Sequence, residues 1–343
     1  MNETRMLIGG QLVDAEGGAS FDNVNPATEE VIGPVADGTR ADMARAVGAA
    51  REAFDTTGWA RDHEARKSGL LQLQAAIEAE QEELRAELVA EAGAPLLLTY
   101  GPQLDAPLRE ALTWPAEMID AFPWRRALPV KNAFGTGDAE REVWKEAIGV
   151  VAVIVPWNFP MEIASWGFAP ALAAGNAVVL KPAEWTPLTA IRLGELALEA
   201  GLPDGLFQVL PGKGSVVGNR FVTHEQVRKI VFTGSTEVGK QVMAGCADQV
   251  KAVTLELGGK SANVVFADSD LEKAAATAPY AVFENAGQDC CARSRILVER
   301  SVYDRFMELL EPAVKGVVVG APGDPATEMG PLATLRQRAH IAQ

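Results

Sequence analysis

Three cysteines, three histidines and three tyrosines are all that 343 residues contain, and each scarcity removes a class of protein. Two of the cysteines, Cys290 and Cys291, are adjacent and the third is Cys246, so no disulfide framework can form. A reducing compartment, the cytoplasm, is therefore expected. His63, His224 and His340 lie far apart with no cysteine at ligand spacing, and no metal site is expected. Positive charge is also short: 31 Lys and Arg stand against 46 Asp and Glu, a net −15. With no long basic run, neither nucleic acid nor an anionic membrane is expected as a partner. The longest apolar run, residues 147–157, is too short to span a bilayer and ends at Pro156-Trp157. The apolar stretch that follows the first five residues is too short for a signal peptide.

What is present is ordinary globular material, 48% hydrophobic and 22% charged, in a length that suggests two domains. Residues 6–13 and 31–35 read as short strands of a peripheral meander. Thr39 with Asp42 looks like a capping box opening a helix to about residue 55. Residues 63–92 carry Leu70, Leu73, Ile77, Leu84 and Leu88 at helical spacing and read as one long amphipathic helix, stopped at Gly93. A helix is expected over 104–122, interrupted at Pro107 and Pro115, with Trp114 and Trp124 packing in the core or lining a channel. Residues 126–145 turn polar, with Gly135-Thr136-Gly137 as a hairpin signal. Beyond them the pattern becomes strand, helix, strand, helix. Residues 148–155, 177–181, 207–210, 229–232 and 252–255 are apolar, Val- and Ile-rich runs that suit parallel strands covered on both faces. Thr186-Pro187 should cap and start a helix ended by Gly201. A second unit follows residue 259, with strands at 263–266, 296–299 and 316–319 and helices from Asp270 and Tyr303. The fold class is therefore α/β: a doubly wound, Rossmann-like parallel-sheet dinucleotide domain, a second α/β unit, and an exposed β-hairpin. The expected boundaries are 1–125 with 146–256, then 126–145 for the arm, and 257–343.

Three stretches carry chemistry. Residues 283–295 place Cys290 just after Gly287-Gln288, with Cys291 beside it. Pro156-Trp157-Asn158-Phe159-Pro160 holds an amide between prolines. Leu255-Glu256-Leu257-Gly258-Gly259-Lys260 offers a lone carboxylate followed by glycines. A strand, a tight turn at Gly234-Ser235 and a helix start also suit a pyrophosphate. Gly234 to Lys240 nearly spells a triphosphate-binding loop, but Gln241 stands where a magnesium-holding Ser or Thr is needed. Gly212-Lys213-Gly214 with Gly218 is one residue too long for the dinucleotide glycine fingerprint. Taken alone, Cys246 reads as a small apolar filler, Asn158 as a local turn residue and Glu184 as a surface acid.

In order and spacing these motifs resemble the aldehyde dehydrogenase superfamily, hydrolytic type, from the first residue to the last. The resemblance implies Cys290 as nucleophile, with Cys291 a packed neighbour. It implies Asn158 with the Cys290 backbone N–H as oxyanion donors, and Glu256 as the base that activates water. A Glu closing so apolar a strand should be partly desolvated, its pKa raised into the useful range. The resemblance further implies a dinucleotide held by Ile154, Pro156, Trp157, Lys181, Glu184, Gly214, Phe232, Gly234, Ser235, Val238 and Leu257. Glu184 would accept ribose hydroxyls and repel a 2′-phosphate, so NAD is favoured over NADP. The substrate is then a small-molecule aldehyde, oxidised through a cysteine thiohemiacetal and thioester. The pocket walls come from residues 114–124 and 161–166, whose aromatics point to apolar aldehydes. The resemblance also makes the second α/β unit part of a catalytic domain and the β-hairpin an arm that pairs subunits, which implies a homodimer or homotetramer.

The family pattern continues past Gln343 with a glutamate-phenylalanine motif and a further strand. The chain is therefore expected to be C-terminally truncated relative to the family, with an exposed sheet edge and impaired turnover. The alternative reading is a fragment that only binds dinucleotide.

Overall fold

The computed structural model describes residues 3–132 and 137–342. Thirteen strands occur in this order: β1 Met6–Ile8, β2 Gln11–Val13, β3 Ser20–Val24, β4 Val31–Ala36, β5 Arg125–Asn132, β6 Asp138–Trp144, β7 Val150–Ile154, β8 Ala177–Lys181, β9 Phe207–Val209, β10 Val227–Gly234, β11 Ala252–Leu257, β12 Ala262–Val265 and β13 Arg295–Val298. Seven of them form one sheet in the order β11-β10-β7-β8-β9-β1-β2, parallel from β11 to β9 and antiparallel beyond. The chain runs β7, β8, β9 outward to one side, then returns to add β10 and β11 on the other. That reversal puts a switch point between β7 and β10, where the loops leaving the carboxyl ends diverge and leave a crevice.

The central strands read as expected because they are fully wrapped. Residues 150–153 and all of β8 are buried, and a buried Val or Leu side chain contributes roughly 1.5–3 kcal/mol. Helix Arg40–Thr56 packs on one face, and helices Pro160–Ala173 and Leu188–Glu199 cover the other. Gly167 permits the close approach: a Cβ there would lie 2.4 Å from Val153 Cγ1. β10 and β11 depart from the expectation, because β11 alternates exposed and half-buried positions and β10 is only partly covered.

Several boundaries differ from the sequence reading. β1 is no peripheral strand; Met6 and Leu7 are fully buried, and β1 joins β9 to extend the main sheet. The Thr39–Asp42 capping box is present. The long helix breaks at Glu80 into His63–Ala79 and Gln81–Glu91, where Glu80 turns out to grip Arg192 on a neighbouring helix. Pro107 and Pro115 do not interrupt helices; each sits in the first turn of one, Asp105–Glu110 and Thr113–Ala121, where a missing N–H costs nothing. Trp114 is exposed rather than core, while Trp124 packs under the Arg66 guanidinium at 4.9 Å. β5 and β6 pair as an antiparallel hairpin, although the turn expected at 135–137 lies, apart from Gly137, outside the described residues.

A second, smaller core gathers Val265, Ala275, Ala278 and Phe306. It lies under the parallel pair β12–β13. Asp270 caps helix Leu271–Thr277 as expected, and helix Tyr303–Lys315 follows. The strand expected at 316–319 is reduced to one bridge, Val319 to Met329. Val264, Phe266 and Leu297 are exposed around this pair. No helix among the described residues is long and apolar enough to cross a membrane.

Candidate active site

The site residues gather because four parallel strands end together. Lys181, Ile154, Phe232 and Leu255 are register partners across β8, β7, β10 and β11, and Gly234 with Leu257 forms the next row. Everything expected to hold a dinucleotide therefore lies along the carboxyl edge of the sheet, on either side of the switch point. Pro156 and Trp157 continue from β7, with the Trp157 ring tilted against Trp185 at 5.5 Å. After β10, Ser235 caps helix Thr236–Ala247 by accepting from the Val238 N–H at 3.3 Å. The first N–H groups of that helix remain free to donate to an anion.

On the β8 side, Glu184 accepts the Gly214 N–H at 2.7 Å. Lys181 is buried, donates to the Pro182 carbonyl at 2.8 Å, and is pushed down to about 8 by that burial, with Glu184 and Asp37 opposing. Gly214 opens a single π turn, residues 214–218, an irregularity common at functional sites.

The thiol loop comes from the second unit. It enters through three consecutive left-handed residues, Asn285 (φ 52°), Ala286 (φ 59°) and Gly287 (φ 73°). Ala286 pays for that conformation, since an L side chain there costs about 1–2 kcal/mol. The surroundings hold it: Asn285 and Ala286 are both buried. The Asn158 side-chain amide donates to the Gln288 carbonyl at 3.0 Å, across 130 residues of sequence. Asn285 Nδ2 and Gln103 Nε2 both donate to the Asn158 carbonyl, at 2.9 and 2.8 Å. One hydrogen of the Asn158 amide is thus committed to holding the thiol loop, and the other has no partner among the described residues.

Cys290 is partly buried, and its thiol is pushed up by burial first and then by the Asp289 charge, with Glu256 adding to the effect. Glu256 is accordingly near the thiol, and the Cys290 carbonyl comes within 3.9 Å of a Cβ built on Gly259. Two expectations fail here. Glu256 is exposed on β11, so burial does not supply the desolvation assumed for it. Cys291 is not a packed neighbour but exposed; its thiol donates to Asp289 at 3.2 Å and is pushed up to about 12. Cys246 is buried in the main core, as expected. Asp289, Cys290 and Cys291 bring their ligand atoms within 4.8 Å of one another. Sequence reasoning missed Gln103, whose loop carries no motif. It also passed over Asn285, which lay inside the thiol motif with no assigned task.

The chain matches the profile described as the aldehyde dehydrogenase family over residues 12–343. It is 41% identical to a mitochondrial aldehyde dehydrogenase of Leishmania tarentolae over 340 residues, 99% of this chain and 67% of that one. It is 42% identical to the human cytosolic 10-formyltetrahydrofolate dehydrogenase, of which it covers 36%. An aldehyde dehydrogenase structure from Burkholderia cenocepacia superposes with a TM-score of 0.94 at 38% identity, covering 99% of this chain and 68% of that chain. An indole-3-acetaldehyde dehydrogenase of P. syringae, solved with NAD+, gives 0.92 at 40% identity, with 69% of that chain covered. The chain thus spans about a third of the formyltetrahydrofolate dehydrogenases and about two thirds of the other relatives. With its profile, fold and thiol loop in agreement, the chain belongs to the aldehyde dehydrogenase family.

Proposed function

We propose that the protein to which these residues belong oxidises an aldehyde to a carboxylic acid with NAD, through Cys290. The observation that carries the reading is the Asn158–Gln288 hydrogen bond. It fixes an amide donor against the thiol loop, which is where an oxyanion needs one. The donor set fits a dinucleotide. A buried Lys181 beside Glu184, and a capped helix N-terminus of twelve residues at Ser235, suit ribose hydroxyls and a pyrophosphate. When bound there, NAD accepts the hydride from the substrate carbon. Glu184 favours NAD over NADP, and the dinucleotide contacts of Ile154, Pro156, Trp157, Gly214, Phe232, Gly234, Val238 and Leu257 belong to the same proposal.

The chain's own residues do the rest. The Cys290 sulfur attacks the aldehyde carbon, its proton passing to solvent or Glu256. The new oxyanion is held by the free Asn158 N–H and the Cys290 backbone N–H. Loss of hydride leaves an acyl thioester on the sulfur. Glu256 then takes a proton from water as its oxygen adds to the thioester, and Cys290 leaves as thiolate. An exposed Glu256 has the freedom to reach that water. The β5–β6 hairpin is the element that would pair subunits in a dimer or tetramer.

NADH absorbance distinguishes these roles. The wild type should turn over steadily with NAD and an aldehyde. Glu256→Gln should give a burst of one NADH per thiol and then stall, and Cys290→Ala should give none. Aldehyde oxidation persisting in Cys290→Ala would remove the reading.

A further inference from the structure

Beside the thiol loop lies a cavity of about 400 Å³ whose walls include Glu162, Trp166, Trp114, Glu110, Pro107 and Pro170, a volume that admits a small ligand. Glu162, Trp166 and Pro170 recur every four residues and so share one face of helix Pro160–Ala173. That helix starts just after Asn158. Trp114 and Glu110 approach from helices Thr113–Ala121 and Asp105–Glu110. Both indoles are 59% exposed, so they are not serving a core. Glu162 is half-buried, and no Lys, Arg or His among the described residues lies within ion-pair distance of it. Burial, then the Asp289 charge, push Glu162 up to about 7. The cavity adjoins the thiol loop through its wall: Pro107 follows four residues after Gln103, whose amide bonds both the Asn158 carbonyl and Asn285. An unpaired carboxylate in a cavity that two exposed indoles also line, with the charge of a second carboxylate acting on it, is an environment that a cation would relieve on two counts. It neutralises the acid, and it gains cation–π attraction of about 0.5–2 kcal/mol from the rings.

We infer that this cavity takes the cationic end of the substrate, so that the preferred aldehydes carry an ammonium or quaternary ammonium group a few bonds from the carbonyl. The inference rests on the proposed function for the word aldehyde, and it departs from the expectation of apolar aldehydes that the aromatic content alone had raised. Glu162 is a specificity-determining residue in this account: it binds substrate without touching the reacting carbon.

The test is chosen so that it needs no turnover. The full chain is treated with two methanethiosulfonates of similar size, one ending in trimethylammonium and one in sulfonate. Labelling at Cys290 is followed by mass spectrometry, separately from Cys291, and the cation-to-anion rate ratio is referred to that of an uncharged model thiol. The ratio should exceed the reference in the wild type and fall about tenfold in Glu162→Gln. Trp114→Ala, at an exposed position, should lower it less while leaving the fold intact. A ratio unmoved by Glu162→Gln overturns the inference. Where NADH is produced, kcat/KM for an amino aldehyde over its neutral hydroxy isostere should fall in Glu162→Gln with the neutral substrate unaffected. Equal loss for both would assign Glu162 a merely structural role. Absence of all turnover would count against the proposed function, while the labelling ratio would still decide the charge of the cavity.

Discussion

Cys290 sits among negative rather than positive groups. Arg293 and Arg295, the cations nearest in sequence, are both exposed. Burial and then the Asp289 charge act on the sulfur, with Glu256 adding to them and a hydrogen bond with Cys291 opposing. The balance disfavours the thiolate, so the folded thiol titrates above its ordinary range. Removing the Asp289 charge should therefore lower the Cys290 pKa and raise the thiolate fraction. In Asp289→Asn, alkylation of Cys290 by iodoacetamide at pH 7.5 should quicken about three- to tenfold. The rate-against-pH midpoint should move down. An unchanged midpoint would mean that burial alone sets the thiol. The place of the proposed nucleophile was legible in the Gly287-Gln288-x-Cys290 pattern. Its electrostatics were not, because a spacing does not say which way a side chain points.

Helix Leu188–Glu199 shows the same limit one level up. Its start was readable from Thr186-Pro187 and its end from Gly201, and the bounds are close to those expected. Yet Thr186 is not its cap; Thr186 Oγ1 is buried without a partner among the described residues. The cap is Glu91, 97 residues earlier, whose carboxylate accepts the Leu188 N–H at 2.8 Å and the Thr189 N–H at 3.0 Å, with the Thr189 hydroxyl as a third donor. No local pattern can announce such a cap, whereas Thr39–Asp42 was visible because both partners lie within four residues. Burial pushes Glu91 from 4.5 up to about 7, against those three donors. An acid whose folded pKa is raised stabilises the fold below its unfolded pKa and loses that contribution as pH climbs toward the folded one. Wild-type stability should therefore decline relative to Glu91→Gln between about pH 4.5 and 7. Glu91→Ala, which abandons all three donors, should cost about 1–3 kcal/mol. Urea unfolding across that pH range checks both. A wild type that gains on Glu91→Gln with rising pH would show that the donors outweigh the burial.

The whole molecule is two cores of very unequal size joined at the site. The first runs from Met6 to Cys246 through dozens of buried side chains, while the second has only Val265, Ala275, Ala278 and Phe306. The α/β pattern was legible throughout because Val- and Ile-rich runs alternate with helical periodicity. The weakness of the second unit was not, since the apolar runs of β12 and β13 give no sign in sequence that Val264 and Leu297 are left exposed. Cys290 belongs to this weaker unit and Asn158 to the stronger. Their alignment depends on a seam of few bonds: Asn158 to Gln288, Asn285 to the Asn158 carbonyl at 2.9 Å, Gln103 to Asn285 at 3.3 Å, and the Leu96 N–H to the Pro322 carbonyl at 2.8 Å. Local opening free energies follow buried contact density. Under native conditions, amides of β13 should therefore exchange about tenfold or more faster than those of β7, by hydrogen-exchange mass spectrometry. Gln103→Ala removes one of the seam's bonds without touching either core. It should speed exchange at residues 285–298 while leaving β7 and β8 protected, and it should loosen the oxyanion donor at the same time. Protection of β13 equal to that of β7 would instead make the two cores one cooperative body, with the thiol loop as rigid as the sheet that faces it.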